Sequence, residues 1–116
     1  MTSPPIANLL KLVGTPRDGA LLRFSLGSEY LKVSDFAAAA AHLRAALEKD
    51  PGYSAAWKLL GTALEGARRP VEALESYRRG VLVADGKGDK QAAREMAVFA
   101  RRLEKKLRAA ETGGEP

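Results

Sequence analysis

The chain matches itself at an offset of 34 residues. When residues 20–53 are laid on 54–87, Leu26-Gly27 falls on Leu60-Gly61, Ala39 on Ala73, Arg44 on Arg78 and Gly52 on Gly86. Five identities are few, but they keep one order: a large apolar residue, a glycine directly after it, then an alanine twelve positions on. A period of this length marks a supersecondary unit stacked on copies of itself. Such a unit cannot bury its apolar face alone, so the repeat constrains the architecture more than any single segment does. Gly27, Gly61, Ala39, Ala73, Ala46 and Gly80 are small where two helices of a pair must approach. Leu26, Tyr30, Leu43, Trp57, Leu60, Leu64 and Tyr77 are large where the gaps must be filled.

Local signals divide the chain into six helices. Ser3-Pro4 reads as an N-cap followed by proline at the first helical position, and Ile6, Leu9, Leu10 and Val13 keep helical spacing up to Gly14. Thr15-Pro16 repeats the start signal, with Asp18 in the first turn where a carboxylate suits the helix dipole. From there Leu22, Leu26 and Tyr30 recur every four residues. Ser34-Asp35 offers the next cap, and the alanine-rich run Phe36 to Lys49 ends at Asp50-Pro51-Gly52. Ser54 reads as the cap of a helix through Trp57, Leu60 and Leu64 that Gly66 ends. Pro70 opens another through Val71, Leu74, Tyr77 and Val81, followed by a turn at Asp85-Gly86-Lys87-Gly88. A last helix spans Asp89 to Ala110. No segment alternates with a period of two, so the fold class is all-α with short turns and antiparallel neighbours.

Composition removes several chemistries. The 116 residues suit one domain, and 46% hydrophobic with 28% charged residues is neither a disordered nor a membrane composition. There is no cysteine and His42 is the only histidine, which excludes disulfides and thiolate or multi-histidine metal sites; no metal or cofactor is expected. The N-terminus lacks the features of a signal peptide, so a cytoplasmic protein is expected. The net charge of +5 is uneven: residues 1–86 carry 11 basic and 9 acidic side chains, and residues 87–110 carry 8 and 3. Electrostatic function therefore belongs to the last helix.

The first unit reads Leu26-Gly27-x2-Tyr30, Ala39-x3-Leu43-x2-Ala46, Pro51. The second reads Trp57-x2-Leu60-Gly61-x2-Leu64, Ala73-x3-Tyr77-x2-Gly80. The pattern resembles the tetratricopeptide repeat, a 34-residue helix–turn–helix unit, over residues 20–87. Arg23 stands where that family prefers tryptophan, Asp85 replaces the closing proline of the second unit, and Arg68-Arg69-Pro70 replaces the usual turn. The resemblance implies a right-handed superhelix of about six helices. Its parts are a capping helix and linker over 1–17, repeat 1 over 18–53, repeat 2 over 54–87, a C-terminal capping half-repeat over 88–110, and a disordered tail over 111–116. The half-repeat fits with a two-residue shift, which turns Met96, Ala97, Ala100, Leu103 and Leu107 to the core and keeps Arg94 and Glu95 out of it.

The resemblance also implies a function, the binding of a peptide or partner protein on a concave face lined by the first helix of each pair. Carried over by register, that face holds Leu21, Phe24, Ser28 and Leu31, then Lys58, Thr62 and Glu65, then Gln91, Arg94, Val98 and Arg101. It is apolar at one end and cationic at the other, which suits a partner with acidic character. Arg94 and Arg101, two turns apart, share a face. The clamp with which some members of the family hold chaperone C-termini is not matched, because it needs lysine and asparagine where Phe24 and Ser28, or Lys58, Thr62 and Glu95, stand. Ile6, Leu9 and Leu10 are candidates to cover Phe24 and Leu31 and so to fill part of the groove.

Other readings rank below this one. The basic last helix suits weak nucleic-acid binding, but it lacks interleaved exposed aromatics. Its use on a membrane would compete with its role as a cap. A homodimer through that helix would cover the ends of Leu103 and Leu107. An enzyme needs a nucleophile, a base and an orienting group; His42 on the outer face of an alanine-rich helix and Glu72 with Glu75 beside Arg79 read as solvated charges.

Overall fold

A computed structural model describes residues 3–112. Its helices are α1 (Pro4–Leu10), α2 (Ala20–Lys32), α3 (Phe36–Lys49), α4 (Ser54–Gly66), α5 (Pro70–Gly86) and α6 (Lys90–Glu111), with no strand among the described residues. α2 pairs with α3 and α4 with α5, while α3 packs on α4 and α5 on α6, so each hairpin leans on the next. The molecule measures 52 × 37 × 19 Å, and its short dimension equals two helix diameters. The expected tail falls partly outside the description: Glu111 is helical, Thr112 is the C-cap of α6, and residues 113–116, like residues 1–2, are not described.

Starts and stops follow local chemistry with instructive exceptions. Ser3, Asp35 and Asp89 accept hydrogen bonds from Ile6, Ala38 and Ala92 N–H groups, and so cap α1, α3 and α6. α2, by contrast, begins at Ala20 behind Gly19 and not at Thr15-Pro16. Asp18 is diverted from a capping role because its carboxylate accepts from Gly14 N–H at 2.9 Å and from Arg23 at 2.8 and 3.0 Å. Ser54 is also not a cap; it is the first residue of α4 behind Tyr53. α5 runs through Asp85 and Gly86, which were expected in a turn, because no proline stands where Pro51 ends α3. α5 therefore has 17 residues against 14 in α3. α4 and α5 start 34 residues after α2 and α3, but α6 starts 36 after α4.

The turns repeat where the residues do not. Ser34 and Arg68 are the two non-glycine residues with positive φ among those described, at 58° and 61°, and they too are 34 apart. Beyond each, an N–H reaches back to the last turn of the preceding helix, Asp35 to Tyr30 at 3.0 Å and Arg69 to Leu64 at 2.8 Å. This closure satisfies helix-end carbonyls and reverses the chain in both units. The stack is then held by close approach. A Cβ on Gly27 would sit 2.5 Å from Leu43 Cγ, one on Gly61 would overlap the Tyr77 ring, and one on Gly80 would overlap Met96 Sδ. Leu26, Ala39, Leu43, Ala46, Leu60, Leu64, Ala73 and Tyr77 are buried against these contacts, Tyr30 and Trp57 are half-buried, and Pro51 is exposed.

Candidate partner-binding face

The first helices α2, α4 and α6 form a row in which α4 touches both neighbours. On α2, Phe24 stacks on Tyr53 with ring centroids 4.7 Å apart, and Leu31 packs half-buried on the main core. α1 covers neither of them. Ile6 closes a separate cluster with Leu22 and Leu26, with Leu9, Leu12 and Val13 around it, so the N-terminal helix seals the end of the stack and leaves the row uncovered. On α4, Lys58 forms an ion pair with Glu95 of α6 at 2.8 Å. Thr62 and Glu65 meet over the second helix of their own unit, where Tyr77 Oη donates to Glu65 at 2.6 Å and lies 3.3 Å from Thr62 Oγ1. Burial, and then the bond to Glu65, pushes the Tyr77 hydroxyl well above the usual tyrosine range, so it stays a donor.

On α6 the ion pair to α4 and the aromatic contact to α5 each lie one position beyond a residue expected on the groove. Glu95 pairs with Lys58, Phe99 meets Tyr77 edge-on at 5.4 Å, and the Arg102 guanidinium lies 5.5 Å over Phe99. Gln91, Arg94, Val98 and Arg101 are all exposed along α6. Val98 and Arg101 line an open hollow of about 570 Å³ along α6, together with Arg102, Glu104, Lys105 and Arg108. Leu103 is buried and Leu107 half-buried on the core. The antiparallel α5 covers this end of α6, as the Arg78–Glu104 ion pair between them shows, which removes the exposed leucines that had suggested a dimer.

Two features were not anticipated. The first is a cleft of about 450 Å³ between α3 and α5, floored by Leu47, Leu60 and Trp57 and edged by Arg44 and Arg79. Trp57 Nε1 donates to Pro51 O at 2.9 Å, and Arg79 lies over the indole at 5.7 Å. Glu72, expected beside Arg79, instead pairs with Arg44 at 3.0 Å and Arg69 at 2.7 Å. Arg44, Pro51 and Trp57 each stand out in the sequence as repeat positions, but their sharing a cleft does not.

The second is the environment of His42, which is half-buried and not solvated as expected. Its ring stacks on Tyr30 at 5.4 Å, and Nδ1 lies 3.2 Å from an Arg23 nitrogen. An arginine only donates, so Nδ1 accepts and the proton sits on Nε2. Arg23 occupies the place of Trp57, and His42 that of Ser76, whose hydroxyl donates to Trp57 O at 2.8 Å. A polar cluster thus replaces an aromatic anchor. Asp18, drawn toward about 2 chiefly by the Arg23 hydrogen bond, completes it and ties the linker down. Burial, then the charge of Arg23, lowers the His42 pKa from its ordinary 6.5. Below that value the unfolded chain binds a proton that the folded chain resists, so stability should fall as the pH drops under about 6.5. Asp18 contributes in a separate window, losing its share as the pH falls from about 4 through about 2. Urea midpoints at pH 7.5 and 5.0 should differ for the wild type and much less for His42→Gln; equal pH dependence in both would show that His42 is not responsible.

The stacked hairpins, their shared turn geometry and the glycine seats define an all-α helical-repeat protein of the kind that presents a row of first helices. The tetratricopeptide-repeat family profile matches residues 24–89. TPR repeat-containing protein PA0015 of Pseudomonas aeruginosa is 45% identical over 100 residues, covering 86% of this chain and 95% of that protein. The solution structure of protein BPP2914 from Bordetella parapertussis superposes with a TM-score of 0.80 at 39% identity, covering 97% of this chain and 96% of the other. A tetratricopeptide repeat domain protein from Salinibacter ruber has a TM-score of 0.69 at 26% identity, covering 75% and 97%. The chain belongs to the tetratricopeptide-repeat family. Members of this family generally mediate protein–protein interaction and are generally non-catalytic. Among the described residues, no helix is long and apolar enough to cross a membrane.

Proposed function

We propose that the protein is a non-catalytic interaction module that binds a peptide or partner protein on the face of α2, α4 and α6. The observation that carries this reading is the uncovered row: α1 packs on Leu22 and Leu26 and leaves the row open from Phe24 to Arg101. Phe24 and Leu31 supply apolar area at one end, while Arg94 and Arg101 supply charge at the other. Thr62 and Glu65, held by Tyr77, make a fixed polar midpoint. This arrangement suits a segment with an apolar anchor and an acidic group.

A pull-down should compare the wild type with Ser28→Trp, which obstructs the α2 end, and with Arg94→Glu/Arg101→Glu, which inverts the α6 end. A partner of the row is lost with both variants. Partner sets identical across the three proteins would overturn the reading.

A further inference from the structure

The cleft beside Trp57 opens between the second helices of the two units, and none of the row residues lines it. α2 and α4 touch along the row, but α3 and α5 do not pack on each other. The gap between them is floored by Leu47, Leu60 and Trp57 and spanned by the Arg44–Glu72 ion pair. Leu47 and Leu60 are buried, and Trp57 is half-buried. The indole N–H is already held by Pro51 O, so what Trp57 offers the cleft is ring surface. The charges at the rim are unequal. Arg44 is answered by Glu72 at 3.0 Å, and Glu48 stands one turn further along α3 on the same helix face. Arg79 lies over the indole and forms no ion pair among the described residues.

We infer that this cleft is a second interaction site, which takes an aromatic side chain of a partner protein with a neighbouring carboxylate of that partner on Arg79. The apolar floor and the indole favour a ring, and the guanidinium of Arg79 gives its carboxylate a charge-assisted, forked contact. Charge sets the number of acids. The carboxylates of Glu48 and Glu72 flank Arg44 and repel a polyanion such as nucleic acid, so one carboxylate at the Arg79 rim is what the site accepts. A basic segment would contest the indole face that Arg79 holds. The cleft is open on its outer side and covers too little of a free small molecule, whereas an anchor side chain is held in place by the rest of its protein. A second copy of this chain has no such segment to offer. In Asp35-Phe36 the acid caps α3 and the ring packs on Gly66. In Glu29-Tyr30 the acid pairs with Lys32 and the ring stacks on His42. The inference concerns the seam of α3 and α5 and stands without the row on α2, α4 and α6.

The test uses the full chain, isotope-labelled for heteronuclear NMR, because Trp57 is the only tryptophan and gives a single indole N–H resonance. The probe is a short blocked peptide of glycine and serine with phenylalanine followed by aspartate at its centre. Control peptides carry alanine for the phenylalanine or lysine for the aspartate, and phenylacetate stands for a free small molecule. The probe should shift the indole resonance and the amides of Arg44 and Arg79 saturably. The alanine peptide should bind more weakly by roughly tenfold or more, as for the loss of an anchor. The lysine peptide should bind more weakly by about fivefold, as for an exposed charge contact. Arg79→Glu should invert the preference between aspartate and lysine, a result that an unfolded variant could not produce. Arg94→Glu/Arg101→Glu should bind the probe as the wild type does, which separates the cleft from the row. No saturable shift up to about 5 mM probe would overturn the inference, as would equal binding of the alanine peptide or an aspartate preference that survives Arg79→Glu. Phenylacetate binding as tightly as the probe would overturn it in favour of a small-molecule site. An indole resonance that moves on dilution of the chain alone would overturn it in favour of self-association.

Discussion

Gly61→Leu is expected to lower folding stability by about 3 kcal/mol or more, the upper range for overpacking a tight core contact. Even a Cβ at that position would overlap the ring of Tyr77. The ring has little room to yield, because its hydroxyl is held by Glu65 and Thr62 and Phe99 closes on it from α6. Relief therefore requires α4 and α5 to move apart, which also opens the close approach of Trp57 to Gly80. Gly86→Ala is the contrasting substitution. It is also a helical glycine at a repeat position, but a Cβ there meets nothing within 4 Å, so it should gain up to about 0.5–1 kcal/mol from reduced backbone entropy. Urea denaturation followed by circular dichroism distinguishes them. Equal and small effects from both would mean that the glycine seats do not hold the stack together.

Tyr77→Ala should cost about 3–5 kcal/mol, as for other large aromatic truncations in cores. Tyr77 is 1% exposed, fills the approach of α4 to α5 and meets Phe99 of α6, so it joins the second unit to the half-unit. Tyr77→Phe keeps the ring and removes only the hydroxyl, which should cost about 0.5–1.5 kcal/mol. Near-ultraviolet circular dichroism and denaturation midpoints should show the alanine variant with weakened cooperativity and the phenylalanine variant close to wild type. Equal losses in both would move the weight of this contact from packing to the hydrogen bond with Glu65.

Much of the architecture was legible because it rests on short-range rules. Leu-Gly and Ala at matched spacing report where helices touch, and proline with capping side chains reports where they begin. The two-residue shift of α6 was legible as well, since the alternative register would have buried Arg94 and Glu95. What failed was the assignment of polar residues with more than one available partner. Asp18 reads as a first-turn acid, yet Arg23 and Gly14 take it, and α2 starts later. His42 reads as solvated, yet an arginine standing where tryptophan was expected draws it inward. The α6 end of the face was read by register, and the ion pair with Lys58 of α4 falls to Glu95, one position beyond Arg94.

By itself the sequence determined the helical class, the 34-residue unit, most helix limits and the cationic bias of the last helix, because each depends on backbone preference or on the spacing of apolar and charged groups along one chain. The tertiary structure alone decided that α1 seals Leu22 and Leu26 and not the row, and that Trp57 and Arg44 share a cleft. Those outcomes depend on which surfaces meet across distant segments. Several pairings of similar apolar area compete there, and the small differences in fit that choose among them have no counterpart in local spacing.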